Sequence, residues 1–138
     1  MVDHLPKYVL DTFALLAYFQ AEPGGSQVRD LIEKAQRDEI ILFMSLINLG
    51  EMYYVTYKKL GKPIADTMVQ DTYTLPITIQ SVTDTHVWDA AELKGQYQLS
   101  YADAFGASLA KTLQAFFVTG DPEIKPLEAS NALKVMWL

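Results

Sequence analysis

Short, continuously apolar runs separated by longer helical patterns constrain the fold of this chain more than any other feature. The runs do not alternate between apolar and polar residues, which is typical of strands that are buried on both faces, as in a parallel sheet covered by helices. Strands that alternate with helices indicate an α/β layered domain. The predicted strands are residues 8–10, 40–44, 77–82, 116–119 and 133–138.

The helical patterns between these runs have recognisable ends. Pro23, Gly24 and Gly25 interrupt the chain after the first helix, and Ser26 is a candidate cap for the second. Gly61 ends the third. No linker, repeat or break in composition divides the sequence, so residues 1–138 are interpreted as one domain. The predicted helices are residues 12–20, 26–38, 46–60, 63–75, 85–98 and 101–114.

Composition limits the classes of function. Half of the residues are hydrophobic, enough for a substantial core, and the absence of cysteine excludes disulfides, thiolate metal sites and thiol nucleophiles. No apolar run approaches the length of a spanning helix and no signal peptide is recognisable, so the protein is expected to be cytoplasmic, with no membrane partner. The net charge of −6 argues against a protein that coats nucleic acid, but not against an enzyme that cuts it.

Two helices carry unusual patterns. The third, residues 46–60, has little polar face, and either packs on a partner chain or is fully buried with its tyrosine hydroxyls reaching solvent. The sixth, residues 101–114, is rich in small residues. Its Gly106 costs about 1 kcal/mol of helix propensity relative to Ala, which indicates a close packing contact.

Four acids stand at the junctions of these elements, and each has an ordinary structural explanation. Asp11 follows a strand and is placed to cap a helix. Glu51 lies early in the third helix, after the candidate caps Ser45 and Asn48, and an exposed acid there favours the helix dipole. The remaining two are Asp103, in a capping-box pattern with Ser100, and Asp121, in an Asp-Pro turn.

Taken together, the four positions predict a common site. Two acids end strands and two begin helices that follow or flank strands, and such positions converge on one edge of a parallel sheet. Carboxylates held close together repel each other, and a divalent cation removes that cost. Mg²⁺ or Mn²⁺ suits such oxygen ligands. The hypothesis from the residues is therefore a metal-dependent phosphodiesterase that uses Asp11, Glu51, Asp103 and Asp121.

The sequence around these acids resembles the PIN-domain family, particularly its VapC-like toxins. Residues 8–19, followed by Glu22-Pro23-Gly24, resemble the family's opening motif, and residues 45–51 resemble the second motif. Residues 99–104 and residues 118–121 resemble the third and fourth. The four motifs occur in the family's order and cover essentially the whole chain.

This resemblance implies a three-layer α/β/α sandwich with a parallel sheet of four or five strands. It implies one or two Mg²⁺ or Mn²⁺ ions in an acidic pocket, with Asp11, Glu51, Asp103 and Asp121 at the family's acidic positions and Thr119 at its hydroxyl position, where it would orient a ligand or water. It also implies an endoribonuclease that acts as the toxin of a toxin–antitoxin pair, with an RNA substrate, a cognate antitoxin and a homodimeric state.

The chain departs from the family near Phe13, where a small polar residue is frequent, and at Gly120, where a basic residue is frequent. These differences concern the rim of the pocket and leave substrate preference open. Glu123 is interpreted as a loop charge rather than as an additional acid of the site. The alternative functions are a Mg²⁺-dependent DNA nuclease or phosphatase, and a non-catalytic PIN-like binding module.

Overall fold

The apolar runs form the strands of a parallel sheet. The computed structural model describes residues 4–138, and every pair of neighbouring strands in its sheet is parallel, in the order β3-β2-β1-β4-β5. The predicted strands are confirmed, with ends that differ by one or two residues. Within the described residues the strands are β1 (Lys7–Leu10), β2 (Ile41–Ser45), β3 (Ile77–Gln80), β4 (Phe116–Thr119) and β5 (Lys134–Trp137).

The helical patterns form the connections between these strands. The six predicted helices are confirmed, but a 3₁₀ turn at Pro122–Ile124 and one further helix were not indicated, because Pro122 and Pro126 favour turns. Both prolines occupy first-turn positions, where the missing N–H costs no hydrogen bond. The helices of residues 4–138 are α1 (Thr12–Phe19), α2 (Gly25–Gln36), α3 (Leu46–Leu60), α4 (Lys62–Thr74), α5 (Asp84–Gln96), α6 (Tyr101–Leu113) and α7 (Lys125–Ala129).

Adjacent residues of the central strands point into different cores, which explains why the strands are continuously apolar. On β1, Leu10 packs with α1, α2 and α3, whereas Val9 packs on the opposite face with α5, α6 and α7. On β4, Val118 and Phe117 divide in the same way. Because both faces of the sheet are covered by helices, the expected α/β/α sandwich is confirmed.

Two glycines permit close approaches that position the site. Gly24 has a positive φ of 90° and is the N-cap residue of α2, so Ser26 is not the cap that the sequence suggested. Gly106 lies where a Cβ atom would be 2.8 Å from Asn48 Oδ1 and 2.8 Å from the Phe117 ring. The predicted packing reason for Gly106 is therefore confirmed, because only glycine lets α6 approach α3 and β4 this closely.

Helix α3 is not the fully buried helix that was one of the two interpretations of its sequence. Its inner side is buried through Asn48, Leu49 and Met52, while the rings of Tyr54 and Tyr57 are about half exposed. A partner on this outer side stays a prediction. In the described part of the chain, no helix combines the length and apolarity needed to cross a membrane.

Candidate metal and active site

The first acid of the site, Asp11, is held at the junction of β1 and α1. It is 1% exposed, and one carboxylate oxygen accepts a hydrogen bond of 2.7 Å from the Ala14 backbone N–H. The capping role considered from the sequence is thus real. It uses only one oxygen, so it does not exclude a further role for this carboxylate.

Thr119 holds the second oxygen of that carboxylate. The parallel register pairs Leu10 with Val118, so the residues that follow them lie side by side at the carboxyl edge of the sheet. The Thr119 hydroxyl donates a hydrogen bond of 2.6 Å to Asp11, and its oxygen accepts one of 3.0 Å from the Asp121 N–H. One hydroxyl therefore fixes the positions of two of the predicted acids.

Glu51 reaches the same edge from α3 and is oriented by two residues that sequence analysis did not assign to the site. The Asn48 amide donates a hydrogen bond of 3.2 Å to the Thr12 hydroxyl oxygen. That hydroxyl in turn donates a bond of 2.5 Å to Glu51 and also lies 3.1 Å from the Asn48 carbonyl oxygen. This series of hydrogen bonds from Asn48 through Thr12 to Glu51 fixes the carboxylate of Glu51 relative to α1.

Asn48 also ties α3 to α6, just before Asp103. It is fully buried, and its amide donates a second hydrogen bond of 3.1 Å to the Ala102 carbonyl. Its side-chain oxygen has no hydrogen-bond partner among the described residues and lies against Gly106. The suggested capping role of Asn48 was wrong, because Ser45 caps α3 by accepting from the Ile47 N–H.

Asp103 stands in the first turn of α6 and turns its carboxylate toward the strand ends. Ser100 accepts a 3.1 Å bond from the Asp103 N–H, but the described hydrogen bonds include no reciprocal bond from the Asp103 side chain, so the capping box is half formed. Oxygen atoms of Asp103, Asp121 and Glu123 all lie within 4.8 Å of one another. Asp103 is only 6% exposed to solvent.

Glu123 is exposed, but its carboxylate lies near those of Asp103 and Asp121, so a role as an additional acid stays as open as a role as a loop charge. The 3₁₀ turn brings it back toward the pocket, because the Asp121 side chain accepts a 2.9 Å bond from the Glu123 N–H. The Asp-Pro pair predicted only a turn here. The presence of Glu123 two residues after Asp121 was the only hint in the sequence. It does not indicate that the Glu123 side chain turns toward the pocket.

The pKa values of the central acids reflect their crowding. Burial raises the pKa of Asp11 from 3.8 to about 6, against the hydrogen bonds from Thr119 and Ala14, and the charges of Asp121 and Glu51 raise it further. Burial, then contact with the Asp121 carboxyl group, then the charge of Asp11 raise the pKa of Asp103 to about 8. The four predicted acids are therefore close enough to interact, and the folded chain ionises them together only at a cost.

The donor set suits a hard divalent cation. It consists of carboxylate oxygens, with no nitrogen or sulfur ligand required, and Mg²⁺ and Mn²⁺ prefer such oxygens together with water. The oxygens of Asp103, Asp121 and Glu123 are near enough together to share one ion, and Asp11 and Glu51 border them. The predicted residues Asp11, Glu51, Asp103, Asp121 and Thr119 all lie at this one edge of the sheet.

The fold and site define a class of protein: an α/β/α domain with an acidic pocket at the carboxyl edge of a parallel sheet. The sequence matches the PIN domain over residues 8–128, so this chain belongs to the PIN-domain family. No curated protein sequence matches the chain.

Solved structures of toxin–antitoxin proteins share the fold. VapBC2 from Rickettsia felis, bound to a DNA fragment from its promoter, matches with a TM-score of 0.74 and 20% identity over 96% of this chain and 98% of the other. DNA-bound VapBC from Salmonella typhimurium matches with a TM-score of 0.71 and 14% identity over 96% and 98%. VapC20 from Mycobacterium tuberculosis, a toxin that cleaves the sarcin–ricin loop, matches with a TM-score of 0.61 and 13% identity over 78% and 84%. At these identities the likeness shows the fold, and at that level the resemblance to VapC-like proteins is confirmed.

Proposed function

We propose that this protein is a metal-dependent endoribonuclease and the toxin of a toxin–antitoxin pair. The observation that carries the proposal is the meeting of Asp11, Glu51, Asp103 and Asp121, from four separate parts of the sequence, at one edge of the sheet. The raised pKa values of Asp11 and Asp103 mean that a cation would stabilise the ionised pocket. PIN-domain membership and the acidic donor set both support nuclease chemistry of this kind.

The residues divide the work according to their positions. Asp103, Asp121 and Asp11 would hold the Mg²⁺ or Mn²⁺, with Glu123 as an added ligand on the open side. A bound divalent ion lowers the pKa of a water molecule and neutralises charge on phosphate oxygens. Glu51, oriented by Thr12, would share a metal or orient the attacking water, and Thr119 keeps Asp11 and Asp121 in register. In-line attack would leave a 5′-phosphate and a 3′-hydroxyl.

RNA is the substrate that the comparisons favour. VapC20, which shares the fold, is described as a toxin that cleaves the sarcin–ricin loop, and that loop is RNA. The net charge of −6 is compatible with RNA cleavage if the metal supplies the local positive charge at the scissile phosphate. The expected setting is the cytoplasm.

The test is a cleavage assay with three substrate classes: RNA, DNA and a small phosphomonoester. We expect cleavage of RNA that EDTA abolishes and Mg²⁺ or Mn²⁺ restores. Asp103→Asn should remain folded and lose activity, because the amide removes an anionic ligand, while Asp71→Asn, an exposed acid on α4, should cleave normally. RNA cleavage that persists in EDTA would contradict the proposal, and selective cleavage of DNA or of the monoester would favour the alternative enzymes.

The proposed protein partners are a cognate antitoxin and a second copy of this chain. VapBC complexes share the fold, which supports an antitoxin, and the outer side of α3 exposes Tyr54, Tyr57 and Leu60, which suits an interface. Light scattering coupled to size-exclusion chromatography measures the oligomeric state of the protein. We expect a dimer for the wild type and a monomer for Tyr57→Glu, and an unchanged dimer in that variant would remove this surface from the proposal.

A further inference from the structure

A cavity of about 460 Å³ opens directly beside the acids, which gives it the size of a small-molecule pocket. Asp11 and Asp121 form part of its lining, and its lining residues include no lysine or arginine. The rest of the wall is largely apolar and comes from four separate segments, through Phe13, Pro23 and Gly24, Pro122, and Leu138.

Phe13 presents an aromatic ring to solvent at this cavity. It stands two residues after Asp11, in the first turn of α1, and is 56% exposed, whereas the next residues, Ala14, Leu15 and Leu16, are buried. A phenylalanine left half exposed forgoes part of the stabilisation that its burial would provide. The ring is therefore available to contact a ligand whose other end lies at the acids.

The opposite wall is built by the backbone. At Gly24 a Cβ atom would lie 3.1 Å from Leu138 Cβ, so the absence of a side chain at this glycine lets the loop before α2 approach Leu138 closely. The Leu138 N–H donates a hydrogen bond of 3.0 Å to the Thr119 carbonyl. The same threonine that holds Asp11 and Asp121 thus fixes this wall, and the cavity keeps a set position relative to the acids.

We propose that this cavity is a nucleobase subsite, in which Phe13 stacks on a base that flanks the scissile phosphate. The inference rests on the proposed ribonuclease function, which places that phosphate at the acids. A lining that is acidic and apolar, without basic side chains, suits an uncharged base better than a further phosphate. Aromatic rings bind single-stranded bases by stacking with little sequence preference.

The experiment pairs a variant of Phe13 with a change in the RNA. The substrates are an oligonucleotide with a mapped cut and two versions of it that lack the base on the 5′ or the 3′ side of that cut. We expect Phe13→Ala to lower kcat/KM on the complete RNA by about 5- to 100-fold, as loss of one stacked base implies, and to change cleavage of one abasic RNA less than about 3-fold. Phe13→Trp should retain cleavage of the complete RNA.

Controls separate a subsite from a change in folding. Tyr73→Ala removes a similarly exposed aromatic ring, 59% exposed, from α4, which contributes no residue to the cavity lining, and should cleave all three RNAs like the wild type. Phe13→Leu keeps apolar bulk without a ring and should behave like Phe13→Ala. Thermal melts of each variant confirm that it is folded.

Each contrary result has a distinct meaning. Equal losses of Phe13→Ala on complete and abasic RNA, or no loss on either, would overturn the subsite and leave the ribonuclease proposal standing. Normal cleavage by Phe13→Ala together with lost capture of a co-expressed antitoxin would assign the cavity to a protein and overturn the base subsite. Failure of the wild type to cut any RNA with Mn²⁺ would overturn both proposals.

Discussion

The Thr12 hydroxyl connects a buried amide to the Glu51 carboxylate, and its effect can be tested by a nearly isosteric change. Thr12→Val keeps the branched shape but leaves the Asn48 amide without one acceptor and Glu51 without its donor. We expect a loss of about 1–3 kcal/mol in the free energy of unfolding. Because a misplaced catalytic group costs up to about 100-fold in rate, we expect a comparable fall in kcat.

Thr12→Ser is the matched control, since it restores the hydroxyl. Urea unfolding and RNA cleavage measured on the same preparations separate the two effects. If Thr12→Ser regains most of the cleavage rate that Thr12→Val loses, but little of the lost free energy of unfolding, the hydroxyl is identified as the group that positions Glu51. A valine variant that cleaves RNA at the wild-type rate would contradict this role.

At the same scale, sequence identified the acids but not the groups that support them. Asp11, Glu51, Asp103 and Asp121 could be found because they stand at the ends of recognisable elements, and the structure brings them together with Thr119. Asn48 looks like a helix cap in the sequence. Only the packing of α3 against α6 shows that it is buried and bonded to Thr12 and Ala102.

At the scale of elements, Gly106 controls how closely α6 approaches α3 and β4. Gly106→Ala would gain about 1 kcal/mol of helix propensity. Its methyl group would however lie 2.8 Å from Asn48 Oδ1 and from the Phe117 ring, and overpacking of this kind costs about 1–3 kcal/mol. We expect net destabilisation in urea unfolding and weaker cleavage, since α6 carries Asp103.

Gly95→Ala on α5 provides the matched control. Apart from the neighbouring backbone of α5 itself, no atom of residues 4–138 lies within 4 Å of the Cβ position at Gly95, so only the propensity gain applies and the variant should be as stable as the wild type or more so. The prediction for Gly106 would be contradicted if both alanine variants stabilised the protein to the same extent.

The same scale shows why strands and helices were predictable while the region after β4 was not. The apolar runs at β1 and β4 are buried on both faces, so their pattern follows directly from the covered sheet. The 3₁₀ turn and α7 are only three and five residues long and contain prolines. Their position depends on Ile124 and Leu127 packing into the core, a contact that no local pattern encodes.

For the whole molecule, the crowded acids make stability depend on pH in a defined direction. The pKa of Asp11 is about 6 in the folded chain against 3.8 in the unfolded reference, so between these values the folded state binds more protons. Stability should therefore fall as pH rises through this window, by about 3 kcal/mol for Asp11, and Asp103, with its pKa raised to about 8, acts in the same direction. Melting temperatures measured in EDTA from pH 4 to 8 check this slope, and added Mg²⁺ should stabilise most at the upper end.

Asp11→Asn separates the stability of the molecule from its function. An amide oxygen still accepts the Ala14 N–H, and the Thr119 oxygen, which already accepts the Asp121 N–H, has a second lone pair for the amide N–H, so the geometry survives without the buried charge. In EDTA at pH 8 the variant should resist urea better than the wild type, by up to about 3 kcal/mol, with a flatter pH profile. In Mg²⁺ the order should reverse, because the wild type gains the free energy of metal binding and the variant loses most of it. If the wild type is the more stable protein in EDTA as well, the Asp11 carboxylate is not held at a cost, and the electrostatic argument for a cation at this edge of the sheet fails.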